Sequence, residues 1–134
     1  MDTLAQKFIN LTPHDVRLVC KGEGDVKDMD ITFPASGTVA RCTSEPQVIH
    51  IALSEMAQVP IFLPQKFIDV VGLPEDTSRQ IIVSQMVAEF MHHNNHTYPG
   101  LVVFPDTGPT AGVKRDERGQ IAAVTRFCSY AVLW

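Results

Sequence analysis

Residues Leu101 to Phe127, LVVFPDTGPTAGVKRDERGQIAAVTRF, constrain this chain more than any other stretch. The apolar run Leu101-Val102-Val103-Phe104 predicts a buried strand. It stops at Pro105-Asp106-Thr107-Gly108-Pro109, a dense cluster of turn residues. Val113-Lys114-Arg115 then leads into Asp116-Glu117-Arg118-Gly119, a hairpin turn in which Gly119 is free to take positive φ. The return strand is expected over Gln120 to Cys128, with Ile121, Ala123, Thr125 and Phe127 on one face and Ala122, Val124, Arg126 and Cys128 on the other. Arg126 is thereby set among apolar neighbours, where a guanidinium needs a partner. Either an acidic side chain or a bound anion would serve.

The rest of the chain breaks into short segments of the same kind. Residues 1 to 7 are expected to form a loose arm. Phe8-Ile9-Asn10-Leu11 and Val16 to Cys20 are strand-like and joined by Thr12-Pro13-His14-Asp15, which predicts a first hairpin. Lys21 to Asp30 is polar and contains glycine, so it reads as a loop. Ile31-Thr32-Phe33 and Thr38 to Thr43 flank Pro34-Ala35-Ser36-Gly37, which predicts a second hairpin, and its return strand sets Arg41 beside Val39 and Thr43. Val48 to Ala52 reads as a strand, and Ser54 to Val59 as an ambiguous stretch with a helical turn as one option. The two prolines of Pro60 to Asp69 predict an edge or an interrupted strand. Asp69-Val70-Val71 is strand running into the turn Gly72-Leu73-Pro74.

Ile81-Ile82-Val83 is β-branched throughout and predicts a strand. Ser84 caps a helix over Gln85 to His93, with Val87, Phe90 and Met91 on one apolar stripe. Asn94-Asn95 ends it, because asparagine accepts the left-handed conformation. A single longer helix from near Thr77 is the alternative. The apolar tail, Tyr130 to Trp134, is expected to pack on the body or on another subunit. The sum is one α+β domain over residues 1–134: a mostly antiparallel sheet of six to eight short strands built from hairpins, with one main helix.

A chain of 134 residues suits a single core. Its net charge of −4 and pI near 5.6 argue against a surface for DNA or RNA polymers. They leave room for a small phosphorylated ligand, which needs only two or three well-placed cations. Cys20, Cys42 and Cys128 are odd in number with no CxxC spacing, and read as reduced packing residues in an intracellular protein. The start MDTLAQKF lacks the basic and apolar segments of a secretory signal. No apolar run approaches the roughly 18 residues of a membrane span.

Catalytic signals are weak throughout. His92, His93 and His96 would offer a metal two ligands on one face of a continuing helix, but Asn94-Asn95 ends that helix, and no glutamate follows His92 as HExxH requires. The competing reading is solvated histidines matched to a helix C-terminus. Cys128 and His14 are residue types of a nucleophile pair with nothing in the sequence to bring them together. No GxSxG, Walker loop or GxGxxG is present. No cofactor is expected, and a binder is favoured over an enzyme. For binding, the PDTGPT loop offers backbone N–H groups to an anion. Arg115 and Arg126 are candidate forks for a diphosphate, weighed against salt bridges to Asp116, Glu117 or Asp106. Phe90 is one of several aromatics available to stack on a base.

The order of several motifs resembles a family of small phage-encoded proteins from residue 8 to 127. They are Asn10-Leu11-Thr12-Pro13-His14, Phe33-Pro34-Ala35-Ser36-Gly37-Thr38-Val39-Ala40-Arg41, Val71-Gly72-Leu73-Pro74 ahead of Ile82-Val83-Ser84, Pro105-Asp106-Thr107-Gly108, Val113-Lys114-Arg115-Asp116-Glu117, and Arg126-Phe127. Within it, the chain looks closest to the anti-Thoeris sponges. The resemblance implies a homo-oligomer in the cytoplasm of an infected bacterial host, with pockets built between subunits. Such a protein sequesters cyclic ADP-ribose isomers, and some members also take up cyclic oligonucleotides of the CBASS defence. The ligand would find arginines for its diphosphate, Asn or Asp for ribose hydroxyls, and an aromatic for its base. Arg41, Phe90, Asn95, Asp106, Thr107, Arg115 and Arg126 supply those types, with Phe90 and Asn95 expected to line one cleft. A nucleotide hydrolase or transferase using His14, Asp106 or the histidines at 92–96, and a phage structural or host-interaction protein with no small ligand, are the alternatives. The segment Ser44 to Ile68 departs from shorter members.

Overall fold

A computed structural model describes residues 4–75 and 79–130. The chain is α+β, as the sequence predicts, and its centre is a four-stranded sheet. Strand β1 (Phe8–Asn10) runs parallel to β6 (Gln80–Ile82), which runs parallel to β7 (Val102–Pro105). Only β10 (Phe127–Cys128) is antiparallel, pairing Phe127 with Pro105 and Cys128 with Phe104. Parallel strands are stable when both faces are covered. Helix α1 (Gln85–His93) covers one face and the pair β2 (Val16–Cys20) and β3 (Met29–Phe33) covers the other. That sandwich explains the run Ile81-Ile82-Val83, each 0% exposed. Ile81 and Val83 pack with Val87, Ala88 and Met91 of the helix, while Ile82 packs with Val16, Leu18 and Phe33. Phe33 also meets the edges of Phe8 and Phe127, with ring centroids 5.6 Å apart in each pair.

Helix α1 follows its sequence signals. Ser84 is extended at the N-cap and accepts the Val87 N–H at 3.3 Å. Asn94 caps the C-terminus and Asn95 takes φ 52. The strand-then-helix reading holds over Gln80 to His93, and the suggested start near Thr77 lies outside the described residues.

Both hairpins expected in the first half are replaced by other pairings. Thr12 to Asp15 joins strands of different sheets, because β1 is taken up by β6 and β2 pairs antiparallel with β3, Val16 opposite Phe33. Pro34 to Gly37 likewise leads out of β3 into β4 (Arg41–Ser54), whose partner is β5 (Ala57–Val71). Strands β4 and β5 form a long two-stranded ribbon turning at Glu55-Met56, so the ambiguous Ser54 to Val59 is its hairpin end. Pro46 and Pro64 fall in the same irregular stretch of the ribbon, and Pro60 sits opposite His50 in a strand with one free edge.

The third expected hairpin forms only in part. Strands β8 (Lys114–Arg115) and β9 (Ile121–Ala123) pair around a turn with Gly119 at φ 79. The return strand then breaks. Val124 bonds to β2 instead, donating to the Arg17 carbonyl and accepting from Val19, and the chain re-enters the central sheet at Phe127. Residues 4–7 form a 3-10 turn in place of a loose arm. Of the apolar tail only Tyr130 is among the described residues.

Candidate functional site

Three parallel strands point their carboxyl ends the same way, and the segments that follow them meet around one cavity of about 270 Å³. Thr12 and His14 come after β1, Ser84 and Gln85 after β6, and Thr107 after β7, beyond Pro105. Ala122, Ala123 and Val124 close another side. The crevice beyond the carboxyl ends of parallel strands is where α/β sheets commonly bind ligands, since loops converge there. Here it also receives the N-terminus of α1, whose first turn carries no acidic side chain. The first backbone N–H groups and the helix dipole therefore favour an anionic group at this end.

The walls are held by side chains that are already engaged. Asn10 is 1% exposed; its amide donates to the carbonyls of His14 (2.9 Å) and Phe33 (2.8 Å). Its oxygen accepts from Thr12 N and Thr12 Oγ1. Asp15 accepts the Ala35 N–H, and Arg17 forks onto Asp30 with bonds of 2.9 and 2.6 Å. The NLTPH and FPASG motifs thus lock the β1–β2 connection to the end of β3. Gly72, at φ 89, lies so close to the Val39 carbonyl that a Cβ there would strike it. These motifs specify the fold of the wall around the cavity.

Asp106 is also a scaffold residue. One carboxylate oxygen accepts the Gly108 N–H at 3.0 Å and the other receives Arg126 Nε at 2.5 Å. The Gly108 amide, and then Arg126, hold its carboxyl below the ordinary range. Burial, and then the Asp106 charge, push the Cys128 thiol up, away from a reactive thiolate. Burial likewise raises the thiol of Cys42.

The seven residues singled out from the sequence do not converge within one chain. Thr107 lines the cavity. Arg126 does not sit in an apolar strand: the break after Val124 leaves its side chain 55% exposed, and its partner is a carboxylate. Arg115 is exposed and donates to the Gly119 carbonyl at 2.9 Å. Arg41 is exposed at the base of the ribbon, opposite Val71. Phe90 and Asn95 face different clefts. Phe90 lines a groove of about 580 Å³ between α1 and Phe67 of β5, and Asn95 a cavity of about 280 Å³ with His92, His96, Tyr98 and Tyr130. Phe90 lies on the helix and Asn95 five positions later, past its C-cap and at positive φ, so the two side chains face apart.

Of the histidines, His92 and His96 line the same cavity as Asn95, and the rings of His92 and His93 lie 5.5 Å apart. His92 stacks on Tyr130 with centroids 4.8 Å apart, and His93 lies 3.7 Å from Glu89. Among the described residues no group of three His, Cys, Asp or Glu side chains is arranged to hold a metal. No helix among them is long and apolar enough to cross a membrane.

Sequence reasoning missed Thr12, Ser84 and Gln85 as neighbours. The available signal was that three separate strands each end in a polar turn, but nothing local says that the strands are parallel. The fold and the cavity define an α+β protein with a cleft at the carboxyl ends of three parallel strands, lined by polar loop residues and by apolar ones such as Val16, Ile121 and Val124. Comparison with protein-family models, with curated proteins and with solved structures returned no match.

Proposed function

We propose that the protein captures a cyclic ADP-ribose-type nucleotide and holds it without turning it over. It would do so as a phage anti-defence sponge in the cytoplasm of an infected bacterium. The motif order supports the class, and one observation carries the binding reading: the cavity where the β1, β6 and β7 loops meet a helix N-terminus free of acid. A diphosphate suits that position through backbone N–H groups, with Thr107, Thr12 and His14 beside it. This replaces the expected grip by Arg115 and Arg126.

At about 270 Å³ the cavity falls just short of the roughly 300–1,000 Å³ typical of small-molecule sites. One chain therefore encloses part of such a ligand, and the homo-oligomer implied by the resemblance would supply the rest. A cyclic oligonucleotide of the CBASS type presents the same phosphate chemistry and is a second ligand to test.

Incubation with a cyclic ADP-ribose isomer, removal of unbound nucleotide and heat denaturation of the protein should release the ligand intact and in stoichiometric amount. Recovery of an altered nucleotide would instead establish an enzyme. Gln85→Glu places a negative charge in the first turn of α1, which favours the helix and repels an anion. We expect the melting temperature to hold while affinity falls at least tenfold. Unchanged affinity would remove the ligand from this cavity.

A further inference from the structure

The cavity at the other end of α1 is built differently from the cleft. It lies where the helix finishes, and its floor is apolar: Ala88 and Met91 are buried, and Val102 of β7 is half-buried beside them. Tyr98 forms a fixed wall. Its hydroxyl donates to the Arg79 carbonyl at 2.6 Å, and its ring lies against Gly100, where a Cβ would come within 2.8 Å of it. Tyr130 is held as well, packed on both His92 and Phe104 with ring centroids 4.8 and 5.4 Å away. The rim is polar. Its loop is folded back onto the helix by the bond from the His96 N–H to the Met91 carbonyl (2.9 Å) and by Asn95 at φ 52. Among the described residues the side chains of Asn95, His96 and Thr97 have no hydrogen-bond partner, whereas those walling the cleft are engaged.

We infer that this cavity binds a small uncharged nitrogen heterocycle, of the kind of a free purine or pyrimidine base. Aromatic walls over an apolar floor suit a flat ring. An amide, an imidazole and a hydroxyl at the rim offer both donors and acceptors to the ring's edge. Among the described residues that line the cavity there is no Asp, Glu, Lys or Arg. Arg79, whose carbonyl holds Tyr98, turns its guanidinium to the Phe8 carbonyl at 2.9 Å. A phosphate would therefore find no fixed cation here, and it would meet the partial negative charge of a helix C-terminus. A ring N–H or amino group is favoured at that same end, where carbonyls outnumber their helical donors. The volume of about 280 Å³ lies just under the roughly 300–1,000 Å³ of sites for drug-sized molecules. One ring or two fused rings fit that space, and a dinucleotide outgrows it.

The site is separate from the cleft at the helix N-terminus and does not rest on capture of a diphosphate there. Calorimetric titration of the full chain with adenine should give saturable binding, with benzoate, flat but anionic, at least tenfold weaker. Asn95→Gly keeps the positive φ and deletes the amide, and His96→Ala deletes the imidazole. Each should weaken adenine at least tenfold at an unchanged melting temperature. Gln85→Glu, at the far end of the helix, leaves adenine binding as it was. The inference is overturned if neither adenine nor uracil binds at millimolar concentration, or if benzoate binds as tightly as adenine. It is overturned equally if both rim variants fold and bind adenine like the wild type. Loss of adenine binding on Gln85→Glu, with the rim variants unaffected, would overturn it in favour of the cleft.

Discussion

Two side chains decide much of the local structure. Asn10 satisfies two carbonyls and two donors from a position closed to water. Asn10→Ala strips those groups of partners, and we expect a cost of about 3 kcal/mol, read as a melting temperature lower by roughly 10 °C. Asp106, like Asp30 beside Arg17, contributes to the acid response. Its folded carboxyl is held below the ordinary value by Gly108 and Arg126, so near pH 3–4 the unfolded chain binds more protons than the folded one. The associated stability is present above about pH 4 and is lost as pH falls through the folded value. Asp106→Asn should flatten that part of the melting temperature–pH curve, which thermal scans between pH 2.5 and pH 6, roughly the window of carboxylate titration, would show. The sequence asked for a partner for Arg126 on the ground that a strand buries it, and the structure gives it one at an exposed position instead. The identity of that partner, between the two readings the alternation pattern left open, was not legible, because the strand expected to bury Arg126 breaks two residues earlier.

At the scale of elements, α1 and the β6 run before it carry complete signals: a cap, a stripe, a left-handed asparagine and three β-branched residues. Ser84→Ala should cost about 1 kcal/mol by freeing the Val87 amide, measurable by urea denaturation. Gly72→Ala faces both a positive φ and the Val39 carbonyl, and should cost about 2 kcal/mol or more by the same assay. The strands were legible as strands, but their partners were not. A turn such as Thr12 to Asp15 reverses the chain equally well between paired strands and between strands of different layers. Which outcome holds depends on β6, some seventy residues away in sequence. The interruption of the ribbon by prolines was correctly readable; its length was not, since no local signal marks a strand that pairs only with its neighbour and leaves its faces open.

For the molecule as a whole, a cleft assembled from the ends of β1, β6 and β7 is invisible to any window of sequence, because its lining mixes turn residues such as Thr12 and Thr107 with strand residues such as Val16 and Val124 from distant segments. Arg115 and Phe90 have the chemistry of a nucleotide site, and the fold distributes them over separate surfaces. If the chain assembles as the homo-oligomer proposed above, stability becomes a function of protein concentration, and we expect the melting temperature to rise by several degrees over a hundredfold increase in concentration, by scanning calorimetry.

The parallel pairing of β1 with β6 also sets a timetable for synthesis. A ribosome adding about 5–20 residues per second delivers Ile81 roughly 4–15 seconds after Ile9, so the first strand emerges with no edge to join. The β2–β3 pair and the ribbon close on near neighbours and can form in that interval. The central sheet, and with it the cleft, is completed only when the final third of the chain has left the ribosome.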